Sequence, residues 1–259
     1  MSRQTAAEAI AKNAGELALK YFNNQQNLVI EQKGDQDFVS QADKNVEDCI
    51  RLALEKEFPN DSIVGEEGEN KSGTSGFTWV IDPIDGTTNF INALPAWCIV
   101  LAGVEEGQVQ VGIIYDPVHD EMYACTRGQS ASLNGTVLPQ LKPKNVNEGS
   151  IAVGINNRVS IVGAQSVISD ILVDGGLFHR NASGALSLAY VAAGRLTGYI
   201  EEHMNAWDCL AGQLLIECCG GGIEKQDADQ MILSGGRVVT GCPDVFEALV
   251  ESAERHFVG

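Results

Sequence analysis

The chain has 259 residues, with 17 Lys and Arg against 35 Asp and Glu, giving a formal net charge of −18. A surface of that sign repels polyanions, which proteins bind through clustered Lys and Arg, so direct nucleic-acid and anionic-membrane binding are not expected. Hydrophobic residues at 44% against 20% charged argue against a disordered chain, and no run approaches the ~20 apolar residues of a membrane span.

Along the chain, apolar positions at Ala7, Ile10, Ala14, Leu17, Ala18 and Phe22 predict a helix over residues 4–22. No apolar core with a cleavage site stands in that segment, so no secretory signal is expected there. Val46, Cys49, Ile50, Ala53, Leu54 and Phe58 predict a second helix over 41–58, stopped by Pro59-Asn60. Residues 62–64 read as a short strand ending at Gly65-Glu66-Glu67, and the polar run 68–76 as a mobile surface loop. A buried strand follows over 78–82, running into Pro83. Segments 97–105, 109–116 and 121–126 have strand composition, with Glu106-Gly107 and Asn134-Gly135 as turns. Up to about residue 145 the pattern is that of a mostly antiparallel sheet. From 146 onward it alternates: strand 150–155, helix 162–172, a strand start at 177–178, helix 183–193, strand 196–201 and helix 207–218, stopped by Gly220-Gly221-Gly222. That alternation predicts α/β layering. No repeat or linker divides the chain, which reads as a single unit over 1–259. Seven cysteines form no CxxC pair and no Cys/His set at zinc spacing, and read as reduced, buried thiols of a cytoplasmic protein.

The stretch Trp79-Val-Ile-Asp-Pro-Ile-Asp-Gly-Thr-Thr-Asn-Phe90 carries the most chemistry. Asp82 ends a buried strand and Asp85 follows on a Pro-containing turn. Two carboxylates fixed this closely in an apolar setting repel each other unless a cation lies between them. Oxygen ligands without His or Cys suit a hard ion, Mg²⁺ first. The Gly86 and Thr87 amides stand where backbone amides cradle a phosphate oxygen. Taken singly, Asp-Pro and Asp-Gly are ordinary turn residues; their combination after a buried strand and before Gly-Thr-Thr is what points to a site. Pairing of adjacent strands would bring Glu66 beside Asp82. Asp208 opens a helix, where an Asp also serves as a simple N-cap. Asp43, early in the second helix, also reads as a surface carboxylate.

These pieces resemble the inositol monophosphatase family of Mg²⁺-dependent, lithium-sensitive phosphomonoesterases. Gly65-Glu66-Glu67, the Trp79–Phe90 run, and Asn205-Ala-Trp-Asp-Cys-Leu-Ala-Gly212 with Gly220-Gly221 stand in family order. Lys33, Asp37, Val39, Asp43 and Glu47 are similar to its N-terminal segment, with Ser40 in the place of a Thr. The resemblance spans about residues 5–250. It implies the layered α-β-α-β-α sandwich, of α+β and α/β character, shared with fructose-1,6-bisphosphatase, and two or three Mg²⁺ ions. Glu66, Asp82 and the Ile84 carbonyl would ligate one ion, and Asp82, Asp85 and Asp208 a second. Thr87, oriented by Asp43, would join Glu66 in activating the attacking water. Asp85 and Asp208, with the amides of Gly86 and Thr87, would border the substrate and its phosphate. Glu201 would accept hydrogen bonds from substrate hydroxyls, beside Ala182-Ser183-Gly184. There the family carries Gly-Ser/Thr-Ala, so Gly and Ala have exchanged places, which bears on substrate preference. A homodimer is also implied.

Inositol 1-phosphate is the first expected substrate, because Thr87-Thr88-Asn89-Phe90 matches the inositol monophosphatase branch. Histidinol phosphate, other sugar or nucleotide phosphates, and a regulatory, protein-binding role are the alternatives. A structural Ca²⁺ site is disfavoured, since the spacing is not that of an EF-hand loop.

Overall fold

A computed structural model describes residues 2–34, 37–156, 159 and 161–257, with the side chains of all of these except 27, 32–34, 37 and 38. The side chains of Lys33 and Asp37 therefore lie outside the described residues. Helix α1 (Arg3–Phe22) leads into an antiparallel pair, β1 (Ile30–Gly34) and β2 (Asp37–Ser40), and then α2 (Gln41–Glu57). A seven-stranded sheet follows in sequence order: β3 (Ser62–Gly65), β4 (Phe77–Asp85), β5 (Cys98–Glu105), β6 (Gln108–Asp116), β7 (Glu121–Thr126), β8 (Ser132–Leu133) and β9 (Thr136–Val137). The short helix α3 (Thr87–Ile91) sits between β4 and β5. Only the β3–β4 pair of this sheet is parallel. The rest of the chain runs β10 (Ser150–Val153), α4 (Ile161–Val173), β11 (Leu177–His179), α5 (Gly184–Ala192), β12 (Gly198–Met204), α6 (Ala206–Cys218), β13 (Gly222–Ile223), α7 (Ala228–Ser234), β14 (Gly236–Gly241) and α8 (Pro243–His256). Its strands form a five-stranded mixed sheet in the order β11-β10-β12-β14-β13.

Strand alternation stacks these elements into layers, because successive side chains point to opposite faces of a sheet. Trp79 and Ile81 of β4, with Ile99 and Leu101 of β5, face the helices α1 and α2, where Ala7, Ala14, Val46 and Ile50 meet them. Their neighbours Val80, Cys98, Val100 and Ala102 point the other way, into a core shared with Leu186 and Leu188 of α5 and Leu210, Leu214 and Leu215 of α6. The second sheet closes that core with Ala152 and Tyr199. Its opposite face, carrying Ile151, Val153 and Ile200, packs on α4 and α8 through Val167, Ile171, Val245 and Leu249. The result is the five-layer α-β-α-β-α order. Helix α6 lies close on the first sheet because Gly112 of β6 has no Cβ; one there would come within 2.7 Å of the Ala211 carbonyl.

The hairpin turns are where the sequence puts them. Glu106 and Gly107 (φ 51° and 70°), and Asn134 and Gly135 (51° and 75°), have the paired positive φ of type I′ turns. Two expectations need correction. The 68–76 loop is pinned down: Lys71 bridges to Ile63, the Thr74 and Ser75 amides donate to the Asn60 carbonyl at 2.7 and 3.0 Å, and Ser75 Oγ donates to Asp61 at 2.7 Å. Strand β4 does not end at Asp82 but continues through Pro83 to Asp85, with its register against β5 shifting between the two carboxylates. No helix of the described residues is long and apolar enough to cross a membrane.

Candidate active site

Four layers contribute to one cluster. In the parallel β3–β4 pair Gly65 lies opposite Ile81, so the residues that follow each, Glu66 and Asp82, come side by side. Buried Glu47 of α2 fixes the turn that carries Glu66. Its carboxylate accepts from the amides of Glu67 (2.9 Å) and Gly68 (2.8 Å) and pairs with Arg51 Nε at 2.7 Å. A Cβ on Gly65 would stand 2.5 Å from Glu47 Oε1.

One carboxylate oxygen from each of Asp82, Asp85 and Asp208 lies within 4.8 Å of the others. Asp82 is buried and receives the Ile84 amide at 2.8 Å, closing an Asx turn across Pro83. Asp208 is not the N-cap of α6. Asn205 holds that position and Asp208 stands in the first turn, with Asn205 Nδ2 3.3 Å from its carboxylate. Asp85 is buttressed from α5: Ser183 Oγ donates to its Oδ2 at 2.5 Å, the Ala185 amide at 2.8 Å, and the Cys98 thiol lies at 3.7 Å. Ser183 and Ala185 are about 100 residues away from Asp85 in sequence, which is why sequence spacing alone did not reveal them.

Without a cation this cluster is electrostatically unfavourable. Burial first, then the charges of Glu66, Asp85 and Asp208, push the Asp82 carboxyl well above its ordinary range. Burial and the Asp85 charge raise Asp208 to about 7. Burial also raises Asp85, but the hydrogen bonds from Ser183 and the α5 amides oppose that. An all-oxygen set of mutually repelling carboxylates fits a hard divalent cation.

Asp43 is buried and not at the surface. One of its oxygens closes the α2 capping box, receiving the Ser40 amide at 2.8 Å and Ser40 Oγ at 2.6 Å. The other is 3.1 Å from Thr87 Oγ1, which also lies 3.2 Å from the Ile84 carbonyl. Gly86 caps α3 at φ 99°, and a Cβ on it would press within 2.9 Å of the Ala96 carbonyl.

The model of the inositol monophosphatase family matches residues 2–256. The chain belongs to that family. Family membership makes it a relative of metal-dependent phosphatases that act on small phosphate esters. It is 36% identical to the inositol-1-monophosphatase of Rhizobium meliloti over 249 residues, covering 93% of this chain and 92% of that one. It is 34% identical to the Nus factor SuhB of Escherichia coli K12 over 243 residues, covering 93% and 91%. Among solved structures, the extragenic suppressor protein suhB of Bartonella henselae superposes with a TM-score of 0.90 at 28% identity, over 96% of both chains.

The departure from the family pattern at residues 182–184 has a backbone signature. Ala182 has φ +60°, the left-handed region that a Gly in the family's position enters freely and an Ala enters at a cost of about 1–2 kcal/mol. At Gly184 a Cβ would come 2.6 Å from Met204 Cε, so the Met204 side chain occupies the space the family's Ala would claim. Ser183 between them keeps its function as N-cap of α5 and donor to Asp85. Beside Asp85 and Asp208 opens a pocket lined by Gly154, Ile155, Arg180, Ala182, Tyr199, Glu201 and Met204. Glu201 lines this pocket and is nine-tenths buried, and the partners that hold it were not anticipated.

Proposed function

We propose that this chain hydrolyses a small polyol phosphate monoester, inositol 1-phosphate first, in a Mg²⁺-dependent reaction. The convergence of Asp82, Asp85 and Asp208 within 4.8 Å carries this reading. Glu66, Asp82 and the Ile84 carbonyl on one side, and Asp82, Asp85 and Asp208 on the other, would hold the ions. Bound there, divalent cations lower the pKa of water and shield the phosphate and the departing oxygen. The protein's own residues supply position. Asp43 and the Ile84 carbonyl hold the Thr87 hydroxyl toward the attacking water, with Glu66 beside it. Ser183 and the α5 amides keep Asp85 from turning away, and the amides of Gly86 and Thr87 receive the phosphate. Glu201 accepts the hydroxyls of the alcohol.

This reading has no covalent phosphoenzyme, and the chain carries neither a Cys-x5-Arg loop nor an Asp-x-Asp-x-Thr nucleophile. A panel of inositol 1-phosphate, histidinol phosphate, 2-glycerophosphate, 3′-phosphoadenosine phosphate and fructose 1,6-bisphosphate tests the reading. Release of phosphate from inositol 1-phosphate that needs Mg²⁺ and is inhibited by Li⁺ supports it. A folded protein that binds Mg²⁺ and leaves the whole panel intact refutes it. A cytoplasmic homodimer acting as one 259-residue unit belongs to the same reading, and sedimentation tests the dimer. The relatives named Nus factor SuhB favour a second role, regulation through a protein partner, which is compatible with catalysis.

A further inference from the structure

The Glu201 carboxylate is gripped on both oxygens. Tyr199 stands two residues before it on β12, so both side chains leave the same face of the strand. The Tyr199 hydroxyl donates to Glu201 Oε2, and Asn156 Nδ2 donates to Oε1 at 2.8 Å and to the His203 carbonyl at 2.6 Å. Tyr199 is buried in the central core, 2% exposed, with its ring fixed among apolar neighbours and only the hydroxyl reaching the pocket. The pair fits because residue 154, just beyond β10, is Gly. A Cβ there would overlap Glu201 Oε2 and the Tyr199 hydroxyl together. Nothing in the metal cluster requires this arrangement. None of the three residues contributes a carboxylate to it, and Glu201 lies outside the Asp82, Asp85 and Asp208 group.

We propose that Tyr199 is a positioning residue, seated by the gap at Gly154, that locks the Glu201 carboxylate so the pocket selects esters of polyhydroxylated alcohols. The last torsion of a Glu side chain is broad, so an untethered carboxylate would present its lone pairs in many directions. Each oxygen of Glu201 spends one lone pair on a protein donor and has another for a substrate hydroxyl. The lock thus converts a general acceptor into one of fixed direction, and a substrate's hydroxyls pay less ordering entropy on binding to it. Burial and the Glu201 charge push the Tyr199 phenol far above its ordinary range, so its hydroxyl stays protonated as a donor at any working pH. The proposal rests on the phosphomonoesterase reading and adds the residue that fixes its preference for a polyhydroxylated leaving alcohol.

The test compares wild type with Tyr199→Phe on two esters in saturating Mg²⁺: inositol 1-phosphate, rich in hydroxyls, and p-nitrophenyl phosphate, which has none. The expected result is a rise of roughly three- to tenfold in the ratio of the two KM values, with kcat for inositol 1-phosphate within about twofold. Gly154→Ala, which displaces the same carboxylate by steric overlap, should raise the ratio in the same direction, and it serves if Tyr199→Phe folds poorly. An unchanged ratio, or KM values that rise in parallel for both esters, overturns the proposal and leaves the phosphomonoesterase reading standing. A wild-type protein inactive on both esters overturns that reading, and this inference with it.

Discussion

Replacing Asp208 by Asn tests the electrostatics of the cluster directly. The Asp208 carboxyl is raised from 3.8 to about 7, by burial first and by the Asp85 charge second. A carboxyl whose folded pKa lies above its unfolded value makes the folded state the better proton binder. Metal-free stability is then greatest below 3.8 and falls as the pH rises from there to about 7. At about 1.4 kcal/mol per pH unit, that interval amounts to about 4 kcal/mol. In EDTA at pH 8, Asp208→Asn should therefore be more stable than wild type by up to about 4 kcal/mol, less the contact that Asn205 makes with the carboxylate. At pH 4 the advantage should vanish. Mg²⁺ should narrow that gap at pH 8, by about 2.7 kcal/mol at a hundred times the wild-type Kd and by about 4.1 kcal/mol at a thousand times, enough to close it, because the ligand adds this much to the form that binds it. Urea unfolding of both proteins at pH 4, 6 and 8, in EDTA and in Mg²⁺, reads all of these terms. A difference in EDTA that does not depend on pH, or a variant less stable than wild type at pH 8, would refute the reasoning.

Other substitutions probe separate parts of the site. Ala182→Gly relieves a left-handed Ala and returns some chain entropy to the unfolded state, for a net gain of up to about 1 kcal/mol. Calorimetry should show the melting temperature rising by about 2–4 °C, and a fall would show that residue 182 carries no strain. Thr87→Ala removes the hydroxyl held by Asp43 and should lower kcat by about a hundredfold or more with KM little changed, as steady-state kinetics will show. Gly65→Ala drives a Cβ against Glu47 and Arg51. It should cost about 1–3 kcal/mol in denaturant unfolding and weaken Mg²⁺ binding by calorimetric titration, because the turn carrying Glu66 must shift.

Much of the fold was legible because its layers are built by periodicity. The helix over 3–22 and the strands from 98 to 126 follow from apolar spacing and the Glu106-Gly107 turn, and the observed ends differ from the expected ones by a residue or two. The carboxylate cluster was legible for a different reason: Glu66 directly follows β3 and Asp82 and Asp85 lie on β4, where strand pairing makes sequence order into spatial order. The pinned 68–76 loop was misread because its polar composition conceals which backbone groups its amides reach. The C-terminal helix, with Val245, Leu249 and Ala253 on one face, was readable by the same spacing rule and was overlooked. The partners of Asp85 were beyond reach, since no local pattern says that Ser183 will cap a helix aimed at residue 85. Tyr199 lay between these cases: an aromatic two residues before a Glu on a strand shares its face, and burial alone then forces the hydroxyl toward the carboxylate.

The placement of the cluster explains how a protein with so large an excess of acid tolerates still more repulsion inside. Asp82 and Asp85 belong to the first sheet, Asp208 and Ser183 to the middle helices, and Glu201 to the second sheet. The site thus lies where the two sheets meet the helices between them, at the rim of the largest apolar core. That core offsets the repulsion, and Ser183 and Ala185 tie Asp85 across the junction before any cation arrives. The folded chain is then already preorganised, so binding a cation neutralises charge without having to assemble its ligands. It follows that weakening the tie should reduce Mg²⁺ affinity even though Ser183 need not touch the ion. Ser183→Ala, which leaves Asp85 the α5 amides and the Cys98 thiol, should raise the Kd for Mg²⁺ by about tenfold. Titration calorimetry on the folded variant measures this, and an unchanged Kd would show that Asp85 is held by the strand alone.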